Sequence, residues 1–411
     1  MENSYKNRIY NNLNYNQYLN YFILLYAFCL PISIAGVSFA TIMLILLWFL
    51  QKDFKNKFEE IKSSYFIIAI VIFILYSLVS ASWSSDKIFA LEYVKKYYHF
   101  LIIPIIFTSL KKEYINKIFS AFLLGMIISE ITSYGIFFEI WTKEGVSSSD
   151  PSPFMDHSNY STYLAFTAFI LFYKIIYSDE LKWKISYGIF FLLSTRNLFL
   201  NGGRTGQFFF LITLLLVGFI SFKNKIRSTF LLLFLVSSIF LAAYSFSPVF
   251  KDRFDYFIHD IEQMVYQKDF SNSFSLRYAL WMTGLEASKK DFIIGTGIGN
   301  EVENIDIGIE KYSIPDYFIS ENYIDFHNFF VQYLVQLGLV MILLIFYFLI
   351  TIRIKNKMYN NLLYIFAILY ILHSMTGNSF HISASMILFV LFSSVFIAIG
   401  KYDTEKKNNA L

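Results

Sequence analysis

Apolar positions in this chain come in long runs, with little of the period-two alternation of a half-buried strand. The runs fall near residues 17–33, 34–50, 65–82, 92–110, 115–140, 159–178, 184–200, 204–222, 228–246, 325–352, 360–378 and 381–400. A helix needs roughly 20 mostly apolar residues to cross a bilayer, so the pattern predicts about 12 transmembrane helices. The expected fold class is all-α, a polytopic integral membrane protein. Residues 1–246 would carry the first nine spans, 247–324 one large, partly helical loop, and 325–411 the last three spans and a short tail.

The polar breaks set the orientation. Lysine and arginine collect in connections that stay in the cytoplasm. With the N-terminus inside, the inside connections hold Lys52, Lys55, Lys57 and Lys62, then Lys111, Lys112 and Lys117, then Lys174, Lys182 and Lys184. Further along lie Lys223, Lys225 and Arg227, then Arg353, Lys355 and Lys357, and finally Lys401, Lys406 and Lys407. The alternation predicts an even number of spans, both termini in the cytoplasm and loop 247–324 on the other side. The first twenty residues lack a cleavage-site pattern, so the first span is expected to act as an uncleaved signal.

Composition narrows the picture further. Hydrophobic residues make up 56% and charged residues 16%, against roughly a quarter charged in soluble domains. Lipid, rather than water, is the expected solvent. A lone cysteine, Cys29, excludes an intrachain disulfide and a cysteine-based zinc site. No His, Asp or Glu cluster has metal-ligand spacing, so no metal, cofactor or nucleic acid is expected. The absence of an internal repeat argues against an inverted-repeat transporter.

Ionisable groups at span mouths are the candidates for chemistry, because they are costly there without a partner or a task. Arg204 stands in NGGRTGQ at the outer start of a span, where Gly202 and Gly203 allow close backbone approach. It is either an interfacial anchor or a functional cation. Arg277 belongs to the predicted loop helix 274–289, in which Leu276, Leu280 and Leu285 fall near helical spacing and Trp281 and Gly284 share its face. That helix is expected on or in the membrane interface. Arg277 either stacks on Trp281 or joins Arg204 in gripping a diphosphate, since each guanidinium fork binds phosphate oxygens bidentately.

His327, in DFHNFF where the loop re-enters the membrane, can exchange protons near neutral pH. Asp325 can orient its imidazole or accept its proton, and Gly338, three helical turns on, should share its face. The alternative is an interfacial histidine in an aromatic belt. DFIIGTGIGN (291–300) has no GK[ST] ending and no flanking strand–helix unit, so it reads as a flexible turn rather than a nucleotide loop. Secondary candidates are Lys95 and Lys96, which can attract an anion, His157 beside Asp156, and Glu130 inside the fifth span. His373 and His381 flank a short outer turn and read as interfacial.

Taken together, GGRTG (202–206), LRYALWMTGLEASKKDFIIGTGIGN (276–300) and HNFFVQYLVQLGL (327–339) resemble the O-antigen ligase and O-antigen polymerase superfamily. The resemblance covers about 195–345 and is topological elsewhere; Gly203 stands where many relatives have Ser before the arginine. It implies a GT-C-like, metal-independent membrane glycosyltransferase that moves a glycan from undecaprenyl diphosphate at the periplasmic face of the cell inner membrane. By that resemblance Arg204 and Arg277 hold the donor diphosphate, and His327 activates or positions the acceptor hydroxyl. The implied acceptor is lipid A–core (a ligase), or a second lipid-linked glycan (a polymerase). A transporter of lipid-linked sugars is the third reading.

Overall fold

A computed structural model describes residues 2–221, 225–300, 311–312 and 325–408. Much of the predicted loop, at 301–310 and 313–324, lies outside the described residues. What is described is helical throughout, with two isolated β-bridges and no sheet among the described residues. The first helices are α1 Glu2–Cys29, α2 Ile34–Leu50, α3 Phe54–Lys62, α4 Tyr65–Ser80 and α5 Lys87–Lys95. Next come α6 Ile102–Ser109, α7 Ile115–Phe137, α8 His157–Tyr177, α9 Leu181–Leu200, α10 Arg204–Ser221 and α11 Lys225–Phe246. The loop contributes α12 Pro248–Glu262 and α13 Ser273–Ala287, and α14 Phe329–Thr351, α15 Lys357–Ser374 and α16 Ser383–Asn408 complete the chain.

Each apolar run read from the sequence falls on helical structure, though the run at 92–110 is divided among three short elements. Among the described residues, four stretches are long and apolar enough to cross a bilayer: Lys112–Phe137, His157–Tyr177, Thr229–Phe246 and Ser383–Thr404. The pair α2 and α3, bent by 116°, makes a fifth if taken as one span. Three other runs fall short for visible reasons. The helix α4 has 16 residues, and the run at 92–110 is broken into α5, a 3₁₀ turn and α6. Charge is the reason in α9, which carries Lys182, Lys184 and Arg196. The chain is an all-helical protein with the apolar helices of a membrane protein.

Two helices are central. In the Ser383–Thr404 stretch 83% is buried against other helices, and in α8 72%, whereas only 6% of Thr229–Phe246 is covered. A helix apolar on every side is a core helix in either solvent. The partners of α8 are α9, α10 and α15. Aromatic rings fill the centre: Phe380 meets Phe100, Phe329 and Phe389 with centroids about 5 Å apart.

The loop helix α13 packs against the protein. The faces of α13 formed by Leu276, Ala279, Leu280, Thr283, Gly284 and Ala287 are buried. They pack on Phe326, Val331 and Val335 at the start of α14. Leu285 is 42% exposed, so it does not share that face as its spacing suggested. A side chain at Gly284 would collide with Val331, its Cβ 2.3 Å from the Val331 Cγ1.

The glycine-rich segment 291–300 has a packing role, and its contacts are too close for a loose turn. Gly338 breaks α14 with φ +73°, and a Cβ there would stand 2.2 Å from the carbonyl oxygen of Ile293. Backbone N–H groups of Thr296, Gly297 and Leu339 then donate to the carbonyls of Val335, Gln336 and Phe292, at 2.7, 3.0 and 2.9 Å. A helix break at membrane depth is tolerated when neighbouring backbone satisfies the freed groups. On its other side the segment meets the corner after α4: Tyr76 donates to the Ile294 carbonyl at 2.7 Å, and Ser85 N–H donates to Asn300 Oδ1 at 2.6 Å. Because Gly338 occupies the break, it does not present a helix face in common with His327.

Candidate functional site

The turn between α9 and α10 is wedged against the first turn of α8. A Cβ on Gly203 would stand 2.3 Å from the His157 carbonyl oxygen, and one on Gly206 2.3 Å from Ser161 Oγ. Only glycine allows that approach, and it brings Arg204 out as the first residue of α10. The turn is tied down by hydrogen bonds. Gly202 N–H donates to Asp150 Oδ1 at 2.8 Å, and Gly203 N–H to Asn201 Oδ1 at 2.7 Å. His157 Nδ1 lies 3.0 Å from Asp150 Oδ2, so the secondary candidate His157 is joined to the Arg204 turn through one carboxylate. Burial alone would raise the Asp150 carboxyl. Its bonds from His157 and Gly202 outweigh that and hold it below the usual carboxylate range.

The two arginines converge on one hydroxyl. Arg277 Nη1 donates to Ser273 Oγ at 2.7 Å and to the Ser273 carbonyl at 2.8 Å, while Arg204 Nη2 reaches the same Oγ at 3.4 Å. Arg204 Nη1 also points at the carbonyl of Arg253 on α12, at 3.4 Å. Asp260, buried on α12, stabilises the charge on both guanidiniums and accepts from Phe274 N–H at the start of α13. Burial pulls the Arg277 guanidinium below its ordinary value, with Asp325 and Asp260 acting against it. Its Nε is buried without a partner among the described residues. Cations held this way, with a donor to spare, have the chemistry to bind a polydentate anion.

His327 stands just ahead of α14, in a left-handed conformation (φ +47°) that is uncommon for a non-glycine residue. Local bonds hold it there. Its backbone N–H donates to Asp325 Oδ1 at 2.8 Å, and its carbonyl accepts from Trp281 Nε1 at 3.4 Å. The Asp325 carboxylate therefore grips the backbone of the turn, a role the sequence reading did not foresee. Asn328 caps α14, its Oδ1 accepting from Phe330 and Val331 N–H at 2.9 and 3.2 Å. Burial lowers the His327 imidazole below its usual value and Asp325 counteracts this only in part, while burial raises the Asp325 carboxyl. Burial thus favours the neutral imidazole, the form that can take a proton. Arg277 links the halves of the site: it shares Ser273 with Arg204 and interacts with both Asp325 and His327.

Other sequence candidates lie elsewhere. Lys95 is exposed at the end of α5. Lys96 Nζ meets His381 Nε2 at 2.6 Å, and the His381 ring stacks on Tyr93 at 4.3 Å. Burial, with Lys96 alongside, pushes His381 down to about 4. His373 is buried against Thr162 rather than interfacial. Glu130, buried in α7, accepts from Ser194 at 2.7 Å and lines an apolar groove of about 570 Å³ between α7 and α9. No group of three His, Cys, Asp or Glu side chains could hold a metal among the described residues.

Sequence reasoning missed Ser273, Asp260, Arg253 and Asp150. None stands in a motif, and each matters through a neighbour that only the tertiary fold supplies. In a comparison with known families, the family described as O-antigen ligase matches residues 189–346. That segment contains Arg204, Arg277 and His327, and the match bears out the resemblance read from GGRTG and HNFF. It implies a ligase- or polymerase-type function on lipid-linked glycans in a membrane. No curated protein matches the chain.

Proposed function

With residues 189–346 carrying the O-antigen ligase match, we propose that this chain is a membrane glycosyltransferase. It moves a glycan from undecaprenyl diphosphate to a lipid A–core acceptor at the periplasmic face of the cell inner membrane. In this reading the scaffold has about twelve spans in a GT-C-like arrangement, with both termini cytoplasmic. The observation that carries it is the convergence of Arg204 and Arg277 on Ser273, with His327 joined to Arg277.

The chemistry follows from that geometry. A lipid diphosphate is already a good leaving group, so no nucleotide is needed. As the bond from C1 to the diphosphate breaks, negative charge grows on the leaving oxygens. Arg204 and Arg277 are placed to meet it, and fixed cations in a low-dielectric site act strongly on developing charge. A neutral His327 takes the proton from the acceptor hydroxyl, a contribution of roughly 10²–10⁴-fold. Attack opposite the departing diphosphate inverts the anomeric centre. In this reading the apolar groove between α7 and α9 takes the polyprenyl tail.

Deleting the gene in its host and separating the lipopolysaccharide by gel tests the assignment. A ligase leaves bare core beside polymer on the lipid carrier. Core carrying a single repeat would instead mark a polymerase, which shares donor and fold. Bare core with the lipid-linked repeats trapped on the cytoplasmic side would point to a transporter, and full polymer attachment would remove the assignment altogether.

A further inference from the structure

We infer that Asp150 is a positioning residue of this site: its carboxylate fixes the turn that presents Arg204 and, through its second oxygen, the imidazole of His157. The inference rests on the diphosphate reading of Arg204. Three observations carry it. First, Asp150 Oδ1 accepts the N–H of Gly202, two residues before Arg204, across 52 positions of sequence. Second, Asp150 Oδ2 takes His157 Nδ1 at 3.0 Å, leaving Nε2 as the ring nitrogen open to a ligand. Third, the backbone contacts of Gly203 and Gly206 with His157 and Ser161 leave the turn no slack, so these bonds define where α10 begins.

The loop that carries Asp150 is itself held. Ser152 donates to Asp150 Oδ1 at 3.1 Å, and Ser133 of α7 donates to the Pro151 carbonyl at 2.6 Å. Ser133 also reaches Asn197 of α9 at 2.9 Å, and Asn197 bonds Tyr160 of α8 at 3.1 Å. Asp150 is thus the last link between a buried polar network spanning three helices and the guanidinium at the outer rim. A displacement of about 1 Å at such a group can cost on the order of 10²-fold in rate. An acceptor at Oδ1 and a partner at Oδ2 are what the role needs, and asparagine keeps both, because its amide N–H₂ can donate to a neutral imidazole.

The test uses the full chain in proteoliposomes, with an undecaprenyl-diphosphate glycan as donor, comparing wild type, Asp150→Ala, Asp150→Asn, Arg204→Ala and the double variant Asp150→Ala/Arg204→Ala. Asp150→Ala should raise the donor KM about tenfold and leave the acceptor KM within about twofold. Asp150→Asn should bring the donor KM back to within about threefold of wild type. In the Arg204→Ala background, Asp150→Ala should add less than about twofold, since residues acting through one another are non-additive. A purely structural aspartate would lower Vmax with the amount of folded protein and leave donor KM unmoved; that result overturns the inference. So do additive effects in the double variant, or an asparagine variant as impaired as alanine. If Arg204→Ala itself leaves donor KM unchanged, the diphosphate reading fails first, and that outcome is separable from normal Arg204 dependence with an indifferent Asp150.

Discussion

The imidazole of His327 is held by its backbone: a left-handed turn, an aspartate on its N–H and a tryptophan on its carbonyl. Replacement by alanine should lower glycan transfer by about 100-fold or more while the protein still reaches the membrane, read by transfer assays and immunoblots of membrane fractions. Wild-type rates in that variant would remove its role as base. The pH dependence has a definite sign. The base works when neutral, and burial holds its pKa below the ordinary histidine value. Activity should therefore be level through neutral pH and fall only on the acid side, below about 6.5; a decline beginning near pH 7.5 would contradict the assignment. Arg277→Lys should also be poorly tolerated, by about tenfold in donor KM, because an ammonium cannot span Ser273 and a phosphate oxygen as a planar fork does.

At the scale of elements, short signals fared unevenly. GGRTG and HNFF were legible because each marks a local necessity: glycine where backbone meets backbone, and an Asn cap where a helix restarts. The glycines at 295, 297 and 299 looked like slack, since their contacts with α14 and with the corner after α4 are non-local. Leu285 misled because helical spacing tells which residues align but not which face finds a partner. The break at Gly338 makes a sharp prediction. Gly338→Ala places a Cβ against the Ile293 carbonyl at a backbone angle alanine rarely adopts. A loss of about 1–3 kcal/mol is expected, appearing as a lower melting temperature of the detergent-solubilised protein. An unchanged Tm would show that the break is not required.

For the whole molecule, the runs of apolar residues made the all-helical, apolar character legible, since lipid imposes one rule on every span. The tertiary contacts that build the site were not legible, because the rule says nothing of which spans are neighbours. Cys29 is the only cysteine and is buried, so Cys29→Ser provides a clean background for mapping topology. Single cysteines at Ser148 and Ser271 should react with a membrane-impermeant maleimide from the periplasmic side, and those at Ser63 and Asp179 only after the membrane is opened. The reverse labelling would invert the orientation and leave the arginines in the cytoplasm.

The clasp formed by 291–300 has a consequence for timing. It touches the corner after α4, made early in translation, and the broken helix α14, made late. His327 is seated by Asp325, Asn328 and Trp281 beside that same late helix. A chain still emerging from the ribosome therefore completes neither the His327 turn nor the seat of α13, which carries Arg277, until α14 is made. On the proposed function, a ribosome-stalled fragment ending before α14 should bind an undecaprenyl-diphosphate donor more weakly than the full chain and transfer no glycan.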